Sequence, residues 1–280
     1  MHKIFLLLLF VTSAALPQQY VYQFSLGKFS DASSFQINSA GFIFITDAGK
    51  SEVTKIDTTG KLIKEVGGYG WQDSQFDLPS SVFATPLSVY VADKNNHRIE
   101  RFDKDLNFVS SLYTRDNDDK NTRFGYPLSC VISNQGDLFI LDSENKRVVK
   151  FDLFGNYIQT FGGYDYGKYA LNSPVDMAAD QANNIYVVDG KKIVIYDQFG
   201  NGMGEMNAAE DLTSIKIVFN NMTINSKTNI YYYDLSKGFG QPEKLNADLS
   251  ESSGDIKSSL VFNSKLYVLT SKEILVFQKP

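Results

Sequence analysis

FDLPSSVFATPLSVYVADKNNHRIERFDKDLNFV, residues Phe76 to Val109, is the stretch from which the rest of the chain can be read. A second copy, FGYPLSCVISNQGDLFILDSENKRVVKFDLFGNYI, runs from Phe124 to Ile158. Both carry a Pro near the start, an Asp closing a hydrophobic run, then Asn, Arg and a β-branched residue at the same offsets. Sliding the chain against itself extends the pattern. Hydrophobic runs end in Asp at Asp47, Asp93, Asp142, Asp189 and Asp234, spaced 46, 49, 47 and 45 residues apart, and a weaker sixth run, KLYVLTS, puts Thr270 in the same place.

Inside each period the apolar residues alternate or come in short bursts rich in Val, Ile, Tyr and Phe, broken by Gly, Asn, Asp and Ser, which is the pattern of strands and tight turns. The second unit divides into SSVFA, SVYVAD, RIERFD and FVSSLY, and the third into SCVIS, DLFILD, VVKFD and YIQTFG. Four strands per period of this length form one blade of a β-propeller, a sheet that buries its two faces against copies of itself. Units beginning near Phe29, Phe76, Phe124, Leu171, Asp211 and Ile256 predict an all-β, six-bladed β-propeller of four-stranded blades. In the fifth unit the second strand is expected to end at Asp234. The last unit supplies only SSLVFN, KLYVLT and EILVF, while YVYQFSL, Tyr20 to Leu26, precedes the first unit without a partner. Pairing the N-terminal strand with the last blade would supply its fourth strand and close the ring.

The D-x-x-N-x-R signature at Asp93, Asn96 and Arg98, repeated at Asp142, Asn145 and Arg147, resembles the NHL-repeat family. The glycine-rich lead-in GGYGWQDSQFDLP, Gly67 to Pro79, is similar to that family's approach to a blade. Asp47 and Asp189 depart from the pattern, because DAGKSEV and DGKKI lack the Asn and Arg. The resemblance implies a six-bladed propeller, in agreement with the count of units, and leaves the activity open because one fold hosts many functions.

MHKIFLLLLFVTSAAL, residues 1–16, reads as a secretory signal: a basic start, an apolar run too short to span a bilayer, then small residues. Residues 17–280 then form a single NHL-type propeller domain, exported to a periplasm, cell surface or extracellular space, with no stable membrane insertion and a monomer expected. Removing Lys3 with the leader leaves 26 basic against 32 acidic residues, a formal charge of −6, which disfavours nucleic acid as a partner. The lone cysteine, Cys130, excludes an intramolecular disulfide and reads as a small buried hydrophobe.

Recurrence in successive blades assigns the repeat Asp and Arg to scaffolding, since a turn must be built in each blade and a catalytic group only once. Aligning the inner strands on the turn Asp lines the axis with Ser34, Ser81, Ser129, Asp176, Ser214 and Ser258, leaving Asp176 as the single acid and the axial-channel candidate. A metal-dependent hydrolase or lyase using that axial site is the alternative function. The amidating-lyase type of propeller needs several His, and only His97 follows the leader. The calcium-dependent lactonase type needs clustered axial acids, where only Asp176 qualifies, and the acidic run Asp116 to Lys120 lacks the glycine and distal Glu of a calcium loop. A Ser-His-Asp nucleophile would depend on His97 alone. No cofactor is expected. Connections between blades gather Tyr69, Trp71, Tyr126, Tyr164, Tyr166 and Tyr169 on the face that also carries Lys50, His97, Arg98, Arg147, Lys191 and Lys192, predicting an aromatic, locally basic surface. Together these features favour an exported, non-enzymatic binding or scaffold propeller that recognises a protein, peptide or glycan through this face.

Overall fold

The structure is a computed structural model describing residues 19–238, 240–250 and 254–279. The leader, residues 1–16, lies outside the described residues. Six sheets follow one another along the chain; five are antiparallel with their strands in sequence order from the inside outward, and the sixth takes its outer strands from elsewhere in the chain. Blade I comprises Ala32–Ile37, Ile43–Asp47, Glu52–Ile56 and Leu62–Gly67. Blade II comprises Pro79–Ala84, Ser88–Asp93, Arg98–Asp103 and Phe108–Tyr113, and blade III comprises Pro127–Ile132, Leu138–Asp142, Arg147–Phe151 and Tyr157–Phe161. Blade IV comprises Pro174–Ala179, Ile185–Asp189, Lys192–Tyr196 and Gly202–Asn207. Blade V begins with Leu212–Val218, and blade VI with Ile256–Phe262, Lys265–Thr270 and Ile274–Gln278.

Gln19–Leu26 is the fourth strand of blade VI, running antiparallel to Ile274–Gln278 with Val21 opposite Gln278 and Leu26 opposite Ile274. Ring closure thus follows the expectation. Asn246–Ala247 adds a short parallel strand outside it, pairing with Gln19 and Tyr20 and so covering the start of the edge that the closing strand would otherwise leave open.

Blade V differs from its sequence reading. Leu212 pairs with Ser226 as Ala32 pairs with Asp47, so Asn221–Ser226 is the second strand and Ile230–Asp234 the third; the outer strand is only Glu243–Lys244. The polar run NMTINS looks like a connection because its side chains are satisfied within the fold rather than by burying apolar surface. Thr223 Oγ1 donates to Ser259 O at 2.5 Å, and Asn225 Oδ1 accepts from Ser214 Oγ and Ser259 Oγ. Ser226 therefore occupies the repeat-Asp position, and Asp234 caps a short turn through Ser236 N.

Apolar clusters fill the spaces between neighbouring blades. Phe44 and Val53 of blade I meet Val82, Val89 and Phe102 of blade II, and comparable clusters join II to III, III to IV, IV to V, V to VI and VI to I. Phe76, Phe124 and Leu171, the first residues of the repeat units, are wedged into these interfaces. Full burial of such a side chain is worth about 1.5–3 kcal/mol. Cys130 lies in the II–III cluster, where burial pushes its thiol up to about 12, in keeping with the role of a small hydrophobe.

Candidate functional site

The antiparallel blades divide their loops between two faces. Turns joining second to third strands and the connections between blades emerge on one face, here the loop face; turns joining first to second and third to fourth strands emerge on the other.

On the loop face, the repeat Asp and Arg anchor the connections that carry the aromatics. Arg98 pairs through Nε with Asp93 Oδ2 at 2.9 Å, donates to the carbonyls of Trp71, Gln72 and Gln75, and lies 3.0 Å from Glu100 Oε1. The Asp77 amide donates to the second oxygen of Asp93. Arg147 repeats the arrangement, pairing with Asp142 Oδ2 at 3.1 Å and donating to Arg123 O at 2.7 Å. Where the Arg is missing, as at Asp47 and Asp189, the carboxylate still holds the lead-in by accepting amides of Ser30 and Asp31, or of Asn172 and Ser173. Gly67, at φ +145°, begins the lead-in where an added Cβ would run into the Ser51 carbonyl.

This anchoring leaves Tyr69 78%, Trp71 76% and Tyr164 95% exposed, and Tyr126 40%. Tyr166 and Tyr169 turn inward instead: both pack on the III–IV cluster, Tyr166 donates to Thr160 O, and Tyr169 supplies the carbonyl that accepts from the buried Tyr196 hydroxyl. Trp71 and Tyr126 both stand by the blade II turn: Trp71 lines a cleft with His97, and Tyr126 packs edge-on against His97 with ring centroids 4.2 Å apart. Most of the cations expected on this face are paired, Lys191 being exposed with no ion pair among the described residues. Lys50 lies 3.9 Å from Glu52, Lys192 2.7 Å from Glu205 and Arg115 2.7 Å from Glu144, while Arg98 and Arg147 are bound to carboxylates.

His97 accepts the Tyr126 amide at Nδ1, and burial followed by the Arg115 charge holds its pKa below the ordinary value. It is engaged with that loop, and no described hydrogen bond joins it to a serine hydroxyl. In the acidic run, Asp119 caps a short turn through Asn121 N.

Near the axis, Ser34, Ser81, Ser129, Asp176, Ser214 and Ser258 are all buried. Asp176 accepts the Met177 and Ile215 amides at 2.8 and 3.1 Å. Lys216, which the sequence reading passed over, reaches from blade V to within 3.9 Å of Asp176 Oδ2 and donates to Ser34 Oγ of blade I at 3.2 Å. A buried ion pair thus occupies the place where a lone acid was expected. Among the described residues no group of three or more His, Cys, Asp or Glu stands where it could hold a metal ion.

The opposite face carries features that the sequence reading also missed. Leu87, Phe154, Phe199 and Phe219 are all more than half exposed on its turns. The DLFGN and DQFGN turns that present Phe154 and Phe199 repeat a second Asp, whose carboxylate accepts the amides two and four residues on. That recurrence, also present at Asp57 and Asp103, was a usable signal.

No family model matches the chain. The protein brain tumor of Drosophila melanogaster is 28% identical over 151 residues, which is 52% of this chain and 14% of that protein. The B-box type zinc finger protein ncl-1 of Caenorhabditis elegans is 27% identical over 139 residues, 48% of this chain and 16% of that protein. Both are NHL-repeat proteins and weak homologues, and the chain spans less than a fifth of either. Among solved structures, the virginiamycin B lyase of Staphylococcus aureus superposes with a TM-score of 0.61 at 14% identity, over 89% of this chain and 80% of the lyase. A streptogramin B lyase gives a TM-score of 0.62 at 10% identity, over 95% of this chain and all of that one. At these identities the likeness shows the fold alone.

Proposed function

We propose that the protein is an exported binding or scaffold propeller that recognises a protein, peptide or glycan through its loop face. One observation carries the reading: Tyr69 and Trp71 are more than three-quarters exposed on a lead-in whose carbonyls are bound by the buried Arg98. Rings held outward on a fixed backbone lose little conformational freedom on binding, which is what makes Trp and Tyr effective anchors. The axial alternative has less to work with, because both Asp176 oxygens accept backbone amides and Lys216 stands beside them. The leader over residues 1–16 supports export to a periplasm, cell surface or extracellular space, and the weak NHL-repeat homologues fit a role in binding.

The test compares partner capture by cross-linking from the producing cell's envelope and medium. Tyr69→Ala/Trp71→Ala/Tyr164→Ala should lose the partner held by the wild type while melting at the same temperature. If that variant retains the partner and Phe154→Ser/Phe199→Ser loses it, recognition belongs to the opposite face.

A further inference from the structure

Beside the exposed Trp71 lies a cleft of about 460 Å³ at the loop end of blade II, lined by Trp71, Tyr113, Asn95, Asn96, Ser111 and Asp116, with His97 and Arg98 completing it. Its chemistry is unusual for a recess on a protein that packs its blades with aliphatic side chains: no aliphatic residue contributes. The apolar surface comes from two aromatic rings, and everything else is an amide, hydroxyl, carboxylate, imidazole or guanidinium.

Existing hydrogen bonds determine what this cleft has left to offer. The Asn95 amide group donates to Asp77 Oδ1 at 3.0 Å, and that of Asn96 donates to Gly70 O and Asp93 Oδ2 at 2.8 and 2.7 Å. Those bonds use both N–H donors of Asn96 and one of the two of Asn95, and they orient the residues. Among the described residues, the Asn95 and Asn96 amide oxygens and the Ser111 hydroxyl have no hydrogen-bond partner, and Asp116 receives only a 3.5 Å contact from the Tyr113 hydroxyl. The unused capacity is therefore mainly accepting: two amide oxygens and a carboxylate, with two hydroxyls that serve either way, against one Asn95 N–H and the His97 Nε2–H as donors. Arg98, committed to Asp93, Glu100 and three carbonyls, brings a fixed positive charge to the lining.

A ligand that fits must present several donors at once, a flat apolar surface for an aromatic ring, and no strong positive charge to meet Arg98. A neutral pyranose does this. Its ring C–H groups bear partial positive charge and lie against the negative face of an indole or phenol, while its hydroxyls donate to amide and carboxylate oxygens. An aliphatic peptide side chain would want an aliphatic pocket, which the cleft does not supply; Ser111 and Tyr113 lie on the outer strand of blade II, but the cleft offers that edge only at its end, beside the rings and polar groups. We infer that the Trp71–Tyr113 cleft is a saccharide-binding subsite for a neutral sugar residue. This rests on the loop-face reading and specifies the chemistry of the ligand at one place on that face.

Trp71 is the only tryptophan in the sequence, so its emission reports this cleft alone. The purified wild-type protein is titrated with tetramers of glucose, mannose, galactose and N-acetylglucosamine, with tetramethylammonium as a cationic comparison, and each sugar is also examined by saturation-transfer NMR. At least one sugar should change Trp71 emission saturably and receive saturation at its ring protons. Tyr113→Ala and Asp116→Ala should each weaken that binding tenfold or more with unchanged melting curves. Silence from every sugar in both measurements overturns the inference, as does saturable binding of tetramethylammonium in place of a sugar. Either result leaves the loop-face reading standing if Tyr69→Ala/Trp71→Ala/Tyr164→Ala still abolishes capture of a macromolecular partner.

Discussion

Lys216 brings an ammonium group to the axis, where Asp176 and Ser34 are its described partners. Removing one member of a buried pair leaves the other uncompensated, so Lys216→Ala should destabilise the fold by about 3 kcal/mol. Lys216→Met combined with Asp176→Asn should cost clearly less than the sum of the single changes, and a double-mutant cycle by urea denaturation reads the difference. Strictly additive costs would mean that the two groups do not interact. Glu100 presents a second buried charge, with Arg98 and the Ser74 amide at Oε1 and no partner at Oε2. Burial, partly offset by Arg98 and reinforced by Asp93 and Asp73, raises its pKa from 4.5 to about 7. Because the folded value lies above the unfolded one, its contribution to stability is complete below about pH 4.5 and is lost as pH rises through 7, a change of about 3 kcal/mol at most. His97, whose pKa is lowered, acts in the opposite sense. The stability difference between the wild type and Glu100→Gln therefore isolates Glu100. It should shift in favour of the variant between pH 5 and 8, and a constant difference would rule out this titration.

At the level of the loop and strand, Arg98 and Arg147 tie a lead-in to the third strand of its own blade, so their removal should loosen the loop before it loosens the ring. Arg147→Ala leaves the buried Asp142 without its cation and frees the Arg123 carbonyl. We expect a loss of about 3 kcal/mol, seen as a lower melting temperature, together with faster hydrogen exchange over residues 119–125. An unchanged melt would mean that Asp142 is held by the Asn145 and Gly125 donors alone. This scaffolding was legible because it recurs: turn Asp, Arg and lead-in repeat with the blade, and so does the strand pattern. Blade V was misread because Thr223, Asn225 and Ser226 are buried by hydrogen bonding, and a polar run does not look like a core strand. Lys216 was missed because TSIKIV alternates like a half-exposed strand, whereas an inner propeller strand has neighbouring blades on both sides. Tyr166 and Tyr169 looked equivalent to Trp71 in sequence, since only the folded path of a connection decides which rings turn inward.

For the whole molecule, strength depends on closing the ring. Deleting Tyr20 to Leu26 removes the outer strand of blade VI, exposes Ile274–Gln278 and takes Tyr20 and Leu26 out of the V–VI and VI–I clusters. The truncated protein should aggregate or melt well below the wild type, and an unchanged monomeric melt would show that the seam adds nothing. The same seam imposes an order in time. A ribosome delivers Tyr22 before any blade is complete, yet its partner Phe277 arrives only after the intervening blades have been made. Until then the nascent propeller is an open arc, with an unmatched strand at its leading end and a growing blade at the other. A chaperone or membrane-exit machinery that shields Gln19–Leu26 during synthesis would therefore protect a segment that cannot pair until the last blade has been made.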